Sequence, residues 1–266
     1  VVLAAGQKKT RNGDVHYPFR QDDYFYYLTG FPEPNAYVFI YRDQKRVQML
    51  LCCQAYDPKV ARWEGACIGH QSAQAHYGAD RVDHSAQYQH HLHQRLPHAE
   101  SVYCLLEVDD GLVDIIRQGV AQCHAARRQG VDVPQGILDL ACIMDQMRLI
   151  KDAHEIEAMR KAAWITQQGF EAMFSIAKPG MGEWQLEAAF LYALHQQQCR
   201  ETAYPSIVAG GDRACVLHYT ANNQIIDAGD LVLVDAGAQW QSYASDVTRT
   251  FPVNGRFTPS QLALYQ

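Results

Sequence analysis

The sequence lacks the features that are typical of proteins that bind nucleic acids or membranes. Lys and Arg number 23 against 29 Asp and Glu, which gives a formal net charge of −6, and no basic stripe would attract a phosphate backbone or an anionic bilayer. No apolar run approaches the roughly 20 residues that a membrane-spanning helix needs, and the first residues do not have the pattern of a secretory signal. We therefore expect neither nucleic acid nor membrane as a partner.

Cysteine pairs at metal-binding or redox spacing are also missing. The sequence has no CxxC pair and no disulfide-style framework among its eight cysteines, which are Cys52, Cys53, Cys67, Cys104, Cys123, Cys142, Cys199 and Cys215. In a chain of this length, such cysteines are typical of small buried apolar residues in a reducing compartment. The sequence therefore predicts a cytoplasmic protein.

The chain is longer than one compact core usually absorbs, so its 266 residues predict two domains. Residues 1–145 alternate short strand patterns with helical ones, including a hairpin of AYVFIYR and RVQMLLC and an amphipathic helix VDIIRQGVAQCHAARR, which indicates an α/β domain. Residues 146–266 have two helices and then a run of strands, which indicates an α+β domain. The chain begins with Val1 inside a strand-like VVLAA, so we expect the natural start to lie upstream.

The helix that opens the second domain has a clear start. Asp152 followed three residues later by Glu155 forms a capping box. The predicted apolar stripe of this helix consists of Ile156, Met159, Ala163, Phe170 and Phe174. The strands predicted to follow are YPSIVAGG, ACVLHYT, LVLVDAG and YASDVTRTF.

Two aspartates lie inside these strand patterns. A hairpin turning near residues 240–241 sets Asp235 directly opposite Asp246, because their positions differ by eleven, an odd number. Facing residues have Cβ atoms about 5 Å apart. Two carboxylates at that distance repel unless one takes a proton or both meet a cation. Two divalent metal ions would suit this spacing of the carboxylates. The alternative interpretation is a pair of exposed aspartates in the turn of an edge hairpin. A bulge at Gly237 would shift the register and remove the direct pairing.

A second group of polar residues has the composition of a metal-binding tract. The segment HSAQYQHHLHQRLPH contains five histidines, which are His84, His90, His91, His93 and His98. The interleaved Gln, Ser and Arg are typical of a solvated helix face, and no acidic partner is evident nearby. We therefore predict that this tract is surface rather than a metal site.

Four motifs resemble the Xaa-Pro aminopeptidase (aminopeptidase P) branch of the pita-bread metallopeptidases. LVLVDAG followed by SDVTRTFPVNGRF is similar to the metal-binding strands of that family, and HYPFRQDDYFYYLTGFPEPNA to the signature of its N-terminal domain. MRLIKDAHEIEAMRKAA resembles its interdomain entry helix, and YPSIVAGGDRACVLHYT its substrate-binding strand pair. The resemblance implies a creatinase-like α/β domain followed by the first half of an α+β pita-bread domain.

The resemblance also implies roles for individual residues. Asp235 would hold one metal and Asp246 would bridge two, with manganese as the expected ion. His218 would contact substrate and stabilise the developing oxyanion, and Tyr204 would lie near the metals. Trp63 would reach the active site of a neighbouring subunit in a homodimer or homotetramer. The implied substrate is a peptide with proline at its second position.

The family site also needs one His and two Glu ligands and a second, proton-transferring His, all located beyond the DVTRT strand. The chain ends at Gln266, so we expect it to be a fragment of the enzyme and inactive alone. Two other functions remain open: a prolidase-type dipeptidase, and a non-catalytic protein-binding module with a peptidase-like fold.

Overall fold

The chain folds into two compact units, Val1–Ile150 and Lys151–Gln266. The computed structural model describes residues 1–43, 46–108 and 111–266. The boundary predicted after residue 145 falls inside the helix Ala141–Leu149, and Met144 of that helix is buried in the core of the first unit. The division therefore lies a few residues later than predicted, because the whole helix packs with the first unit.

The first unit has the predicted α/β architecture. Its described strands are β1 (Val2–Ala4), β2 (Thr10–Asn12), β3 (Val15–His16), β4 (Tyr37–Asp43), β5 (Arg46–Cys53), β6 (Arg81–His84), β7 (Val102–Cys104) and β8 (Ile137–Asp139). Its described helices are α1 (Asp23–Thr29), α2 (Pro58–Glu64), α3 (Gly69–His76), α4 (Tyr88–Arg95), α5 (Leu112–Ala126) and α6 (Ala141–Leu149). One sheet has the order β1-β4-β5-β6, in which β5 and β6 are parallel and the other neighbours antiparallel.

The side chains of strand β5 show that this sheet is covered on both faces. Leu50 and Cys52 belong to one buried cluster, whereas Leu51 and Cys53 belong to another. Successive side chains of a strand point to opposite faces, so a packed layer lies on each side of the sheet. The predicted hairpin is confirmed as β4 and β5, and the predicted helix as α5; residues 44 and 45 of the predicted turn lie outside the described part of the chain.

The histidine tract is mostly exposed, as predicted, with one exception. The side chain of His91 is buried, and its Nε2 lies 2.7 Å from Oδ2 of Asp83. The expectation that the tract has no acidic partner is therefore wrong for His91. Asp83 lies in β6 directly before the tract, and it meets His91 only once α4 has packed against the sheet.

The second unit has the predicted α+β architecture. Its described helices are α7 (Ala153–Ile176), α8 (Glu183–Gln196) and α9 (Pro259–Tyr265). Its described strands are β9 (Ile207–Gly210), β10 (Leu231–Ala236), β11 (Gln239–Trp240), β12 (Tyr243–Ala244) and β13 (Val247–Pro252). An antiparallel sheet has the order β13-β10-β9, and β11 pairs with β12 in the extension of the β10–β13 hairpin.

Helix α7 begins at the predicted capping box, in which Asp152 and Glu155 bind each other's backbone N–H groups. The predicted stripe is wrong at Ile156, Met159, Ala163 and Phe174, which are exposed, and correct at Phe170, which is buried. The buried side of α7 instead includes Ala158, Ala162, Ile165 and Met173. Helix α8 packs closely against it, since a Cβ at Gly169 would lie 2.3 Å from the Phe190 ring. No helix in the described residues is long and apolar enough to cross a membrane.

The strand predicted for ACVLHYT does not form. Residues Gly211–Cys215 make a 3₁₀ turn, and residues 216–224 form an irregular segment that we call the His218 loop. In place of a strand ladder, the side chain of Glu183 binds this segment, and the side chain of Asn222, within the segment, binds the backbone at Ser206 and Val208.

Candidate metal site

The two aspartates lie on the same face of the β10–β13 hairpin, but they are not directly opposite each other. Asp235 pairs with Thr248. The turn lies at Gln241–Ser242, which have φ angles of 50° and 65°, one residue later than predicted. Shifting a turn by one residue moves every cross-strand partner by two, so the side chains stay on the same face and Asp246 becomes a diagonal neighbour of Asp235. The predicted direct pairing is therefore wrong.

Tyr204 joins the two carboxylates. Its hydroxyl lies 2.5 Å from Oδ1 of Asp235 and 3.0 Å from Oδ1 of Asp246. Burial raises the pKa of the Tyr204 phenol, and its hydrogen bonds to the two carboxylates raise it further, so the hydroxyl keeps its proton at neutral pH. The structure thus brings three of the predicted site residues to one point.

The donor atoms at this point fit the oxygen ligands of a hard divalent cation. Asp235 is half-buried and Asp246 is exposed, and manganese or magnesium prefers carboxylate oxygen of this kind. In the described ranges, no group of three or more His, Cys, Asp or Glu side chains is placed to hold an ion. The two aspartates therefore fit part of a metal site, and any further ligands belong to the proposal below.

Residues of α7 form hydrogen bonds with the hairpin that carries the two aspartates. The Tyr243 hydroxyl donates a 2.7 Å hydrogen bond to Oε1 of Glu155, and the backbone N–H of Ala238 donates to Oγ1 of Thr166 at 2.9 Å. Sequence reasoning missed this support, because Glu155 was identified only as half of a capping box. Glu155 and Tyr243 are 88 residues apart in the sequence, so no local pattern indicates their contact.

The other predicted site residues are not joined to this point by any described contact. His218 is exposed in the His218 loop, although that loop follows β9, whose Ile207 pairs with Asp235. Trp63 lies in α2 of the first unit and is 91% exposed. The roles of both residues stay predictions.

Comparison with protein families matches both units. The description "Aminopeptidase P, N-terminal domain" applies to residues 1–103, and "Metallopeptidase family M24" applies to residues 157–266. These matches correspond to the two halves in which the sequence motifs were found. Divalent metal ions are therefore the expected cofactors of the second unit.

Individual relatives give the same result. An Xaa-Pro aminopeptidase from Haemophilus influenzae is 34% identical over 100% of this chain and 59% of its own length. Among solved structures, an aminopeptidase from Pseudomonas aeruginosa has a TM-score of 0.95 and 36% identity, covering 99% of this chain and 60% of its own. A zinc-substituted Escherichia coli aminopeptidase P in complex with product has a TM-score of 0.95, 32% identity and the same coverage of both chains.

The chain thus spans about three fifths of the length of these relatives. Its first unit is an aminopeptidase P N-terminal domain, and its second unit is the first part of a pita-bread metallopeptidase domain. The chain belongs to the Xaa-Pro aminopeptidase branch of the pita-bread metallopeptidase family.

Proposed function

We propose that this chain is part of a metal-dependent aminopeptidase that hydrolyses the bond between an N-terminal residue and a following proline. The observation that carries the proposal is the convergence of Asp235 and Asp246 on the hydroxyl of Tyr204, on the strands where the family has its metal site. The relatives supply the reaction class, since those compared are Xaa-Pro aminopeptidases.

The proposed cofactor is a pair of manganese ions, with Asp235 holding one and Asp246 bridging both. When bound, such ions lower the pKa of a water molecule and polarise the scissile carbonyl. Tyr204 keeps the two carboxylates oriented toward a common point. His218 is proposed to contact the substrate and to stabilise the developing oxyanion by donating a hydrogen bond.

The preference for proline has a physical basis. The Xaa-Pro bond is a tertiary amide with no N–H and a locked ring. A peptidase that binds its substrate through the N–H of the scissile amide therefore cannot hydrolyse an Xaa-Pro bond. A dedicated pocket is needed, and we propose that Trp63, which is 91% exposed, contributes to it from a neighbouring subunit. This proposal requires a homodimer or homotetramer, which light scattering of the purified protein would detect.

The remaining ligands are proposed to come from sequence beyond Gln266. The length of the relatives, of which this chain covers about three fifths, supports this. One His and two Glu would complete the site, a downstream Glu would take the proton of the water, and a second His would help with proton transfer. The 266-residue chain alone is then inactive. The eight cysteines form no disulfide in the part of the chain that the structure describes, which supports the proposed cytoplasmic location.

The activity test uses the longer protein encoded by the same reading frame, with the 266-residue chain in parallel. We expect manganese-dependent release of the first residue from a tripeptide with proline second, and no release from its alanine analogue. Asp246→Asn should lower kcat/KM at least about 100-fold, since loss of a residue that only supports a metal ligand already costs about 10–100-fold. Asp227→Asn, at an exposed aspartate of the same unit, is the matched control.

Each other outcome identifies an alternative. Cleavage of an Xaa-Pro dipeptide without cleavage of the tripeptide would indicate a prolidase-type dipeptidase. Absence of cleavage by the longer protein at any manganese concentration would favour a non-catalytic binding module. Full activity of Asp246→Asn would refute the bridging role of Asp246.

A further inference from the structure

The His218 loop is exposed and has no strand ladder to hold it. Leu217 is 88% exposed and His218 is exposed as well. A loop of this kind is expected to sample several conformations unless specific contacts restrict it. The contacts that restrict this loop come from one buried carboxylate and one buried amide.

The carboxylate is that of Glu183, in the first turn of α8. Its residue has no exposed surface. Its Oε1 accepts hydrogen bonds from the backbone N–H of Gly210 at 3.0 Å and from Nε of Arg213 at 2.7 Å. Its Oε2 accepts from the Tyr219 hydroxyl at 2.8 Å and from the backbone N–H of Gln224 at 3.0 Å. Four donors thus satisfy a carboxylate, which has about four lone-pair sites.

The positions of these donors matter more than their number. Arg213 precedes the His218 loop, Tyr219 is the residue after His218, and Gln224 ends the loop. The carboxylate of Glu183 therefore fixes the loop before, beside and after the histidine.

Asn222 attaches the same loop to β9. Its Oδ1 accepts from the backbone N–H of Val208 at 2.9 Å, and its Nδ2 donates to the carbonyl oxygen of Ser206 at 2.9 Å. The residue between them, Ile207, pairs with Asp235. The loop is thus anchored along the strand that lies next to the metal-ligand strand β10.

The charge on Glu183 is compatible with this role. Burial by itself raises the pKa of Glu183, but the hydrogen bonds from Gly210, Arg213, Gln224 and Tyr219 outweigh it and the pKa lies below its ordinary value. The carboxylate is therefore ionised at neutral pH. An ionised acceptor makes stronger hydrogen bonds than a neutral one.

We infer that Glu183 is a positioning residue that holds the His218 loop in one conformation, and thereby presents His218 beside the strands of the candidate metal site. The inference rests on the proposed function only for the role of His218 toward substrate. The attachment of the loop to Glu183 is a property of the 266-residue chain itself and is measured without any activity.

The first experiment is hydrogen exchange of the 266-residue chain, followed by mass spectrometry of the peptide that covers the His218 loop. Tyr219→Phe removes one donor at a half-buried position, and we expect about fivefold faster exchange in the loop, the factor for one hydrogen bond of about 1 kcal/mol. Glu183→Gln should speed exchange by more than about tenfold, because bonds to charged groups are stronger. Glu157→Gln, at an exposed position of α7, should leave the loop unchanged.

Unchanged loop exchange in Tyr219→Phe would overturn the inference, even if Glu183→Gln failed to fold. The second experiment measures kcat and KM of the longer protein for the proline tripeptide. A positioning role predicts a several-fold lower kcat/KM in Tyr219→Phe with an unchanged manganese requirement, and an unchanged kcat/KM would overturn it. If loop exchange responds as expected but the wild type cleaves no peptide, the proposed function fails and the attachment of the loop to Glu183 stands.

Discussion

Alanine at Gly237 should disrupt the hairpin that carries the two aspartates. A Cβ at this position would lie 1.6 Å from the carbonyl oxygen of Ser245 and 2.6 Å from its carbonyl carbon. Both are backbone atoms, so no side-chain rotation relieves the overlap. Asp246 directly follows Ser245, and the carbonyl oxygen of Gly237 accepts a 2.8 Å hydrogen bond from the N–H of Ala203, the residue before Tyr204.

The size of the effect follows from these contacts. Carbon and oxygen must separate by almost 2 Å to reach ordinary contact, which opens the 2.9 Å hydrogen bond from the N–H of Ser245 to the carbonyl oxygen of Ala238. Overpacking costs about 1–3 kcal/mol and a lost hydrogen bond about 1 kcal/mol. We therefore expect Gly237→Ala to lower the free energy of unfolding of the second unit by about 3 kcal/mol.

Urea unfolding followed by tryptophan fluorescence measures this change, since three of the four tryptophans, Trp164, Trp184 and Trp240, lie in the second unit. The control is Gly136→Ala in the first unit, whose Cβ would meet only Leu138 at 3.8 Å; it should change the unfolding free energy measured for the second unit by less than about 1 kcal/mol. A stability loss in Gly237→Ala no larger than that of the control would refute the close approach of Gly237 to Ser245.

Three further changes test other contacts of the second unit. Ser242→Gly relieves a left-handed residue with φ of 65° and should raise stability in urea by about 1 kcal/mol, whereas the helical control Ser175→Gly should lower it by about 0.5–1 kcal/mol; effects of the same sign would contradict the strain. Gly169→Ala should cost about 1–3 kcal/mol in the same assay, since its Cβ would overlap the Phe190 ring at 2.3 Å, and a neutral result would exclude the tight helix contact. The pKa of Glu183 is lowered from its ordinary value of 4.5, so its ionised form stabilises the fold above pH 4.5, and this contribution is lost as the pH falls through the lowered value. The urea stability of Glu183→Gln should therefore decline less steeply below pH 4.5 than that of the wild type. Parallel pH profiles of the two proteins would contradict this.

Local rules predicted those parts of the fold that local interactions determine. The hairpin of β4 and β5 follows from two apolar runs joined by a polar turn, and the start of α7 follows from Asp152 and Glu155, which lie three residues apart. The strand patterns around Asp235 and Asp246 were also correct, since both residues lie on one face of the hairpin.

The errors occur where distant residues override local pattern. ACVLHYT has the composition of a strand, but Glu183, which binds Tyr219 across 36 residues, holds it as a loop. Ile156 and Met159 continue the apolar spacing of α7, yet both are exposed, and the helix packs against α8 at Gly169 instead. Neither outcome has a signal within the segment concerned.

The corrected register still allows the two aspartates to share a ligand. Opposite carboxylates would have Cβ atoms about 5 Å apart, whereas diagonal neighbours are separated by more. The wider spacing leaves room for one hydroxyl between them, and Tyr204 occupies it at 2.5 and 3.0 Å. A position that lies within reach of two carboxylate oxygens is one where a cation would be attracted by both. The turn at Gln241–Ser242, which takes two left-handed residues, sets this register, and the convergence of Asp235 and Asp246 on Tyr204 in it is compatible with the proposed metal role.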